Sequence, residues 1–165
     1  MAPRFDNSLT YIGLLIETEP NSDIFRGPCG MDGRTFTRTT ETQDTIFAAC
    51  EPGKVGNRVR AETVDDWTIS GQGTMELVAY DMLDNWKSGP PELRGPRKVI
   101  VLGYTGDSNS ATVHVHYVLN AFMTELGLPQ GANSELVQTS VTLVAADGGV
   151  ERVTGPFTGT VLADA

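Results

Sequence analysis

The chain has 165 residues, the length of one ordinary domain. Hydrophobic residues make up 39% of it and charged residues 20%, so it can bury a core and is not a charge-rich disordered tail. Its 21 acidic and 12 basic residues give a net charge of −9, which repels nucleic acid and anionic membrane surfaces. We therefore expect a single domain over residues 1–165 that neither grips DNA nor binds a membrane.

Signals for export and for a disulfide framework are missing from the sequence. The apolar run at residues 11–16 is far shorter than the 18 or more residues of a membrane span, and the first ten residues lack the charged and apolar regions of a secretory signal. Cys29 and Cys50 have neither a disulfide-framework pattern nor metal-site spacing. We therefore expect a protein that folds in a cytoplasm with reduced thiols.

The first third of the chain contains candidate strands separated by turn-rich stretches. Residues 8–16 predict a strand with apolar groups on both faces, and a stretch rich in Gly and Pro follows at 17–33. Thr alternates with other residues over 34–42, which is typical of a strand exposed on one face. Residues 43–50 are compatible with a helical turn, and residues 51–60 have the Gly and Pro of a loop.

The middle of the chain predicts a strand, the one helix and a second strand. Over 61–74 Trp67 and Ile69 share one face of the predicted strand, as the two-residue period requires. A helix is predicted at about residues 75–88, and a buried strand follows at 98–104. The helix carries one apolar stripe, formed by Met75, Val78, Ala79, Met82, Leu83 and Trp86. This amphipathic pattern predicts a helix that packs on a sheet.

The last third of the chain is almost wholly of β type. Residues 110–123 alternate over an unusually long predicted strand, and residues 136–147 alternate again. The sequence DGG at 147–149 fits a tight hairpin leading into a strand at 150–154. The tail at 155–165 is compatible with an edge strand or a mobile end. The predicted fold class is therefore mainly β with one helix.

The sequence contains no recognisable set of catalytic residues. His114 and His116 lie two residues apart on one face of a predicted strand and could hold a metal, but there is no third histidine to complete a site. The sequence contains no GK(S/T) phosphate loop, no dinucleotide fingerprint and no G-x-S-x-G elbow. We therefore expect no enzyme activity, no cofactor and no metal, although a site assembled from scattered residues stays open.

Two stretches carry a resemblance to a known family. Five residues match the pattern DW-x-(I/V/M)-S-x-x-G ahead of the predicted helix: Asp66, Trp67, Ile69, Ser70 and Gly73. Four residues match the family's final strand and hairpin: Ser140, Val141, Leu143 and Gly148. Over roughly residues 8–155 the sequence resembles the major tail tube proteins of long-tailed, siphovirus-like bacteriophages. It departs from them at Ala48 and Ala49, where a Trp is common.

The resemblance implies a fold, an assembly and a set of partners. The implied fold is a β-sandwich or small barrel with one flanking α-helix. In this family six copies join their inner sheets into a ring, and the rings stack into the tail tube through which DNA is ejected. The implied partners are further copies of the chain and the tape-measure, tail-terminator and tail-tip proteins. Genomic DNA would pass through the lumen without specific binding, in a virion tail assembled in the host cytoplasm.

Arms and loops make the contacts between rings in such a tube. The candidates are an N-terminal arm at about residues 1–8 and two long loops at about 40–60 and 127–135. Arg58 and Arg60, in the first of these loops, are candidate inter-subunit contacts or solvated loop charges. The last 67 residues hold one basic residue against six acidic ones, so we also consider an acidic, repulsive lumen.

Other functions fit the same pattern of elements. The inner-tube protein of a contractile, gene-transfer or injection particle would share the fold and the ring. In a contractile particle it would also have a sheath protein as a partner. A ligand-binding β-sandwich module would show exposed aromatic side chains gathered on one face. Trp67 and Trp86 instead lie on apolar stripes, which is typical of core residues.

Overall fold

A computed structural model describes residues 9–28, 31–47, 53, 56–73, 77–106, 112–127 and 139–162. This part of the chain contains eight β-strands, one α-helix and one short 3₁₀ helix. In chain order they are β1 (Leu9–Glu17), β2 (Ile24–Arg26), β3 (Met31–Phe47), β4 (Asn57–Gly73), α1 (Leu77–Ser88), the 3₁₀ helix (Pro91–Leu93), β5 (Arg97–Thr105), β6 (Thr112–Leu126), β7 (Thr139–Thr154) and β8 (Thr160–Val161).

The predicted mainly-β class with one helix is confirmed. Several predictions fall outside the described residues: the N-terminal arm at 1–8, nearly all of the loop at 127–135, and both cysteines. No helix in the described ranges has the length and apolar character needed to cross a membrane.

The strands form one hydrogen-bonded sheet that folds over on itself. The strand order is β3-β4-β7-β6-β5-β1-β2-β8, and every pair is antiparallel except β2–β8. The β6–β7 register shifts between Leu119 and Ala121, where residues 146–149 of β7 form a wide bulge. Bulges bend strands, and this one lies where the sheet turns over. As a result Leu14 of β1 and Trp67 of β4, far apart in strand order, share one core.

The bend divides the sheet into two packed layers. The front sheet consists of β3, β4, residues 139–145 of β7 and residues 121–126 of β6. The back sheet consists of residues 150–154 of β7, residues 112–119 of β6, and strands β5, β1, β2 and β8. The strands β6 and β7 therefore belong to both layers, as in β-sandwiches whose corner strands switch sheets. This is the β-sandwich expected from the sequence.

The main core lies between the two sheets and is closed at one side by α1. Trp67, Leu143 and Val99 are almost completely buried there, and Leu83 and Trp86 project into the same cluster from α1. The predicted apolar stripe of the helix is confirmed at Ala79, Leu83 and Trp86, which are buried, and wrong at Val78, which is 51% exposed. Burial of each large apolar side chain contributes about 1.5–3 kcal/mol to stability.

The predicted loop at about residues 40–60 is wrong, as is the helical turn at 43–50. Strand β3 continues to Phe47, β4 begins at Asn57, and the two pair over this length with one register shift between Glu41 and Thr42, so that Asp44 lies opposite Arg60. Threonine and alternating polar residues favour extended structure when a partner strand supplies the hydrogen bonds. What separates the two strands is a short connection, of which the structure describes Gly53 and Gly56.

The predicted hairpin at residues 147–149 is also wrong. Strand β7 runs from Thr139 to Thr154 without reversing, and both of its halves pair with β6. Asp147 and Gly149 lie in the bulge instead, where the Asn120 Nδ2 donates to Asp147 Oδ2 at 3.1 Å. Because β6 is long enough to pair with both halves, the Asp-Gly-Gly sequence bends one strand rather than joining two.

Candidate assembly surfaces

The β3–β4 hairpin extends beyond the body of the sandwich. Strand β4 pairs with β7 only over Thr68–Gly73, whereas its pairing with β3 continues to Asn57. Residues 37–47 and 57–66 therefore form a two-stranded ribbon, which we call the arm. At the usual rise of a strand, 11 residues span about 35 Å.

The arm has no cover in the isolated chain. Every side chain from Thr37 to Asp44 is exposed, and so are those of Arg58, Arg60 and Asp65 on the other strand. A two-stranded ribbon is only marginally stable by itself in water. A ribbon of this length is therefore better suited to lying against another molecule than to standing alone.

The two arginines predicted from the sequence lie on the same strand and the same face of the arm. Arg60 is already engaged within the chain, since its Nε lies 2.8 Å from Asp44 Oδ1. Thr40 Oγ1 donates to Asp65 Oδ1 at 2.9 Å on the same face. Arg58 is exposed two residues before Arg60. Of the two, Arg58 is the better candidate for a contact with another copy.

Strand β3 presents a long free edge. It is the last strand of the sheet in the described part of the chain, and its 17 residues contain no Pro or Lys. Soluble proteins usually protect such an edge by shortening it, bulging it, or placing Pro or Lys on it. Strand β3 has a bulge between Asp32 and Thr35, but from Thr35 to Phe47 its edge continues without a further bulge in β3 itself and offers a template for pairing with another strand.

A second free edge lies on the opposite side of the front sheet. Strand β5 begins at Arg97, which pairs with Ala121, so β6 from Phe122 to Leu126 has no described strand on that side. The helix lies beside this strand, and Lys87 Nζ donates to the backbone oxygen of Thr124 at 3.4 Å. The front sheet is therefore open for strand pairing at both of its edges.

A buried ionic cluster anchors the helix end to the sheet, and sequence reasoning missed it. Arg97 is 1% exposed; its Nη1 donates to the backbone oxygen of Glu17 at 3.3 Å and its Nη2 to that of Leu93 at 3.1 Å. Its guanidinium lies 5.2 Å from the centre of the Trp86 ring. Burial lowers the pKa of Arg97, and the charges of Glu17 and Glu19 partly oppose this.

The carboxylate side of this cluster is equally enclosed. Glu17 is completely buried, and its Oε1 accepts from the backbone N–H of Ser22 at 3.0 Å. Glu17 Oε2 and Arg97 Nε have no hydrogen-bond partner. No sequence motif signals this cluster, because its members come from the end of β1, the start of β5 and the segment between α1 and β5.

The two histidines lie two residues apart in β6 but have different surroundings. His114 is exposed, whereas His116 is buried and its Nδ1 lies 2.9 Å from the backbone oxygen of Gly155. The ring of His116 also packs edge-on against Phe157. Among the described residues there is no group of three or more His, Cys, Asp or Glu side chains that could hold a metal.

Comparison with solved structures finds the same fold in several large assemblies. A chain in the tail of an empty gene transfer agent particle, determined with C6 symmetry, has a TM-score of 0.58 at 12% identity, covering 87% of this chain and 96% of that one. The shared feature is the fold. A chain in the virion of the native particle gives a TM-score of 0.56 at 12% identity, covering 87% and 95%.

The fold is also found in contractile injection systems. A chain in the sheath–tube complex of an extracellular contractile injection system gives a TM-score of 0.58 at 11% identity, covering 92% of this chain and 90% of that one. A chain in the tube-terminating cap of the anti-feeding prophage gives 0.55 at 12% identity, covering 93% and 91%. No family model matches the sequence, and no curated protein matches it.

Proposed function

We propose that this chain is the repeating subunit of a tail tube, in which six copies form a ring and the rings stack. The observation that carries the proposal is the fold, which covers 96% of a chain from a sixfold-symmetric tail at a TM-score of 0.58. The free edges and the exposed arm are what a subunit of a polymer requires. The role is structural, and no catalytic step is part of it.

Contacts within a ring would use the two free edges of the front sheet. In this arrangement the β3 edge of one copy pairs with Phe122–Leu126 of the next copy. Main-chain hydrogen bonds then join the front sheets of neighbouring copies into one continuous barrel. Each contact joins two different surfaces of the chain. Such contacts close into a ring when a whole number of rotations from one copy to the next makes a full turn.

Contacts between rings would use the arm at its far end, around Arg58, beyond the part of the β3 edge that pairs within the ring. The arm's length of about 35 Å is enough to reach beyond the edge of its own sandwich. Arg58 would meet a carboxylate of the neighbouring copy, while Arg60 and Asp44 keep the face of the arm in order. The segments at residues 1–8 and 127–135 are further candidates for these contacts.

The tube would serve as the channel for genome ejection in a virion tail. Tape-measure, tail-terminator and tail-tip proteins would be its partners, and assembly would take place in the host cytoplasm. The likeness to a chain of a sheath–tube complex supports a second version, in which an outer sheath surrounds the same tube. The two versions share the ring and differ in whether a sheath protein binds the outside.

Chemical cross-linking tests the proposed ring. In a Cys29→Ser, Cys50→Ser background, a variant with Thr37→Cys and Glu125→Cys carries one thiol near each free edge of the front sheet. A short bis-maleimide should then give a ladder of products on a denaturing gel that ends at the hexamer. Each single-cysteine variant is the matched control and should stop at the dimer. A double variant that yields only monomers at every concentration contradicts the proposal.

A further inference from the structure

Two arginines at the base of the arm line one recess. Arg38 of β3 and Arg152 of β7 lie around a space of about 350 Å³ between the arm and the back-sheet part of β7. Both side chains are exposed, and in the described part of the chain neither has a carboxylate as an ion-pair partner. Asp65 and Asp66 line the same recess, and each accepts a hydrogen bond from within the β3–β4 hairpin. Both guanidinium groups are therefore available to an acceptor on another molecule.

Aromatic contacts hold the Arg38 guanidinium in position. Its Cζ lies 4.9 Å from the centre of the Tyr117 ring and 5.6 Å from the centre of the Phe36 ring. A guanidinium held against an aromatic face keeps the N–H groups of its plane free to donate, and their fork matches the two oxygens of a carboxylate. Because these contacts restrain the side chain before a partner arrives, Arg38 loses little conformational freedom on binding one.

One side of α1 carries carboxylates that also lack an ion-pair partner. Tyr80, Asp84 and Lys87 are spaced four and three residues apart, so they form one row along the helix. Asp81 and Asp84 are exposed, and neither forms an ion pair with another described residue. The row faces β6, because Lys87 Nζ donates to the backbone oxygen of Thr124 at 3.4 Å. Asp84 therefore lies beside the free edge of β6.

The proposed ring brings these two surfaces together. Helix α1 lies on the core side of the front sheet, because Leu83 and Trp86 project into the core between the sheets. Arg38 lies on the core side of β3, because it aligns with the buried Trp67. When the β3 edge pairs with residues 122–126 of the next copy, the helix of that copy comes to lie behind β3. Paired strands are about 4.8 Å apart, so Arg38 and this helix become direct neighbours.

We infer that the Arg38 recess binds the carboxylate of Asp84 in α1 of the next copy. This rests on the proposed function, because the two side chains meet only when the strand edges pair in a ring. Arg152, whose Nη1 donates to Thr154 Oγ1 at 3.3 Å, adds a second positive charge to the recess. Asp81 adds a second negative charge to the helix. The partner of the recess is thus a second copy of this chain.

The ion pair supplies a fixed register, which the two strand edges lack. Backbone hydrogen bonds repeat along β3, and its exposed threonines and other polar residues do not distinguish one register from another. A charge pair at one position does so, because a slip of two residues moves Arg38 about 7 Å away from Asp84. The pair therefore selects one alignment of neighbouring copies among those that main-chain hydrogen bonding allows.

Charge reversal with rescue tests this ion pair. Arg38→Glu and Asp84→Arg should each lower the fraction of chain found in rings by about tenfold, because each places like charges together. The double variant Arg38→Glu, Asp84→Arg restores opposite charges and should recover this fraction to within about twofold of the wild type, as coupled sites do. Size-exclusion chromatography with light scattering measures the fraction, at the concentration where half of the wild-type chain is in rings.

Two charge reversals elsewhere are the matched controls. Arg94→Glu and Glu92→Arg change exposed charges by the same amounts in the segment between α1 and β5, and both variants should form rings like the wild type. Urea denaturation checks that every variant is folded. Recovery of rings by the double variant excludes misfolding as the cause of the losses, because it contains both substitutions.

The outcomes separate this inference from the proposed function. Rings formed equally well by the wild type, Arg38→Glu and Asp84→Arg overturn the inference and leave the proposed function standing. A double variant that stays unassembled while the controls form rings also overturns the inference. A wild-type chain that forms no rings under any condition overturns the proposed function, and the inference falls with it.

Discussion

Arg97 is the residue on which the junction between helix and sheet depends. It is buried with its charge stacked on Trp86, and it donates hydrogen bonds to the backbone of Glu17 and Leu93. These three contacts come from three separate segments of the chain. A buried charge in such a position is costly to remove, because the opposite charge of Glu17 is left without compensation.

Replacement of Arg97 tests this account at the residue scale. Arg97→Met should lower the free energy of unfolding of the monomer by about 3 kcal/mol, because the Glu17 carboxylate stays buried. Adding Glu17→Gln should recover part of the loss, since the remaining group is neutral. Urea denaturation followed by tryptophan fluorescence measures both effects. An Arg97→Met protein as stable as the wild type would contradict the role given to this cluster.

Residue-scale patterns predicted the core better than they predicted the buried charges. The two-residue period correctly placed Trp67 and Ile69 on a core face, and both are 1% exposed. Arg97 could not be identified in the same way, because its burial depends on residues that are distant in sequence. A single arginine before an apolar strand is usually an exposed charge at a strand end.

At the scale of elements the arm is the feature that the sequence left hidden. A predicted loop and helical turn became two strands because each supplies the other's hydrogen bonds, a pairing that local patterns do not reveal. The alternation of Thr with polar residues over 34–42 already indicated a strand. The strand itself continues to Phe47, where the described part of β3 ends.

Charge reversal on the arm tests its role between rings. Arg58→Glu should shorten or abolish tubes, with the unfolding free energy of the monomer changed by less than about 0.5 kcal/mol, because surface substitutions have small effects on stability. Electron microscopy of negatively stained samples measures tube length. Arg60→Glu with Asp44→Arg keeps the internal pair in reversed order and is the matched control. If this double variant and Arg58→Glu assemble equally well, Arg58 is not a contact.

Proline substitution on β3 tests the role of its free edge. Neighbouring backbone N–H groups along an edge strand point alternately towards the paired strand and away from it. Of Thr39→Pro and Thr40→Pro, one removes an outward N–H and should block ring formation while the monomer stays folded. The other breaks the β3–β4 ladder and should also destabilise the monomer. Circular dichroism and size-exclusion chromatography distinguish the two results. Two folded variants that both assemble would contradict edge pairing.

At the scale of the whole molecule the sequence predicted the class and the order of the elements but not how the sheet folds. One long sheet bends into a sandwich because β6 and β7 change layers at the bulge of residues 146–149. The sequence shows Asp-Gly-Gly at this point, which fits a hairpin as well as a bulge. The length of β6 decides between them, because it offers a partner to both halves of β7.

The small size and the net charge of −9 are also properties of the whole molecule. In the proposed tube a domain of 165 residues would build a long object by repetition, and the open edges of the front sheet would supply the contacts. Arg58 and Arg60 lie on one face of the arm, so the basic groups are unevenly distributed over the molecule.

Electron cryomicroscopy of tubes assembled from the purified chain tests the central claim most directly. The predicted result is a helical reconstruction with sixfold rings, in which the β3 edge of each copy is hydrogen-bonded to residues 122–126 of the next. A protein that stays monomeric at all concentrations, or an ordered assembly in which these two edges remain apart, would contradict it.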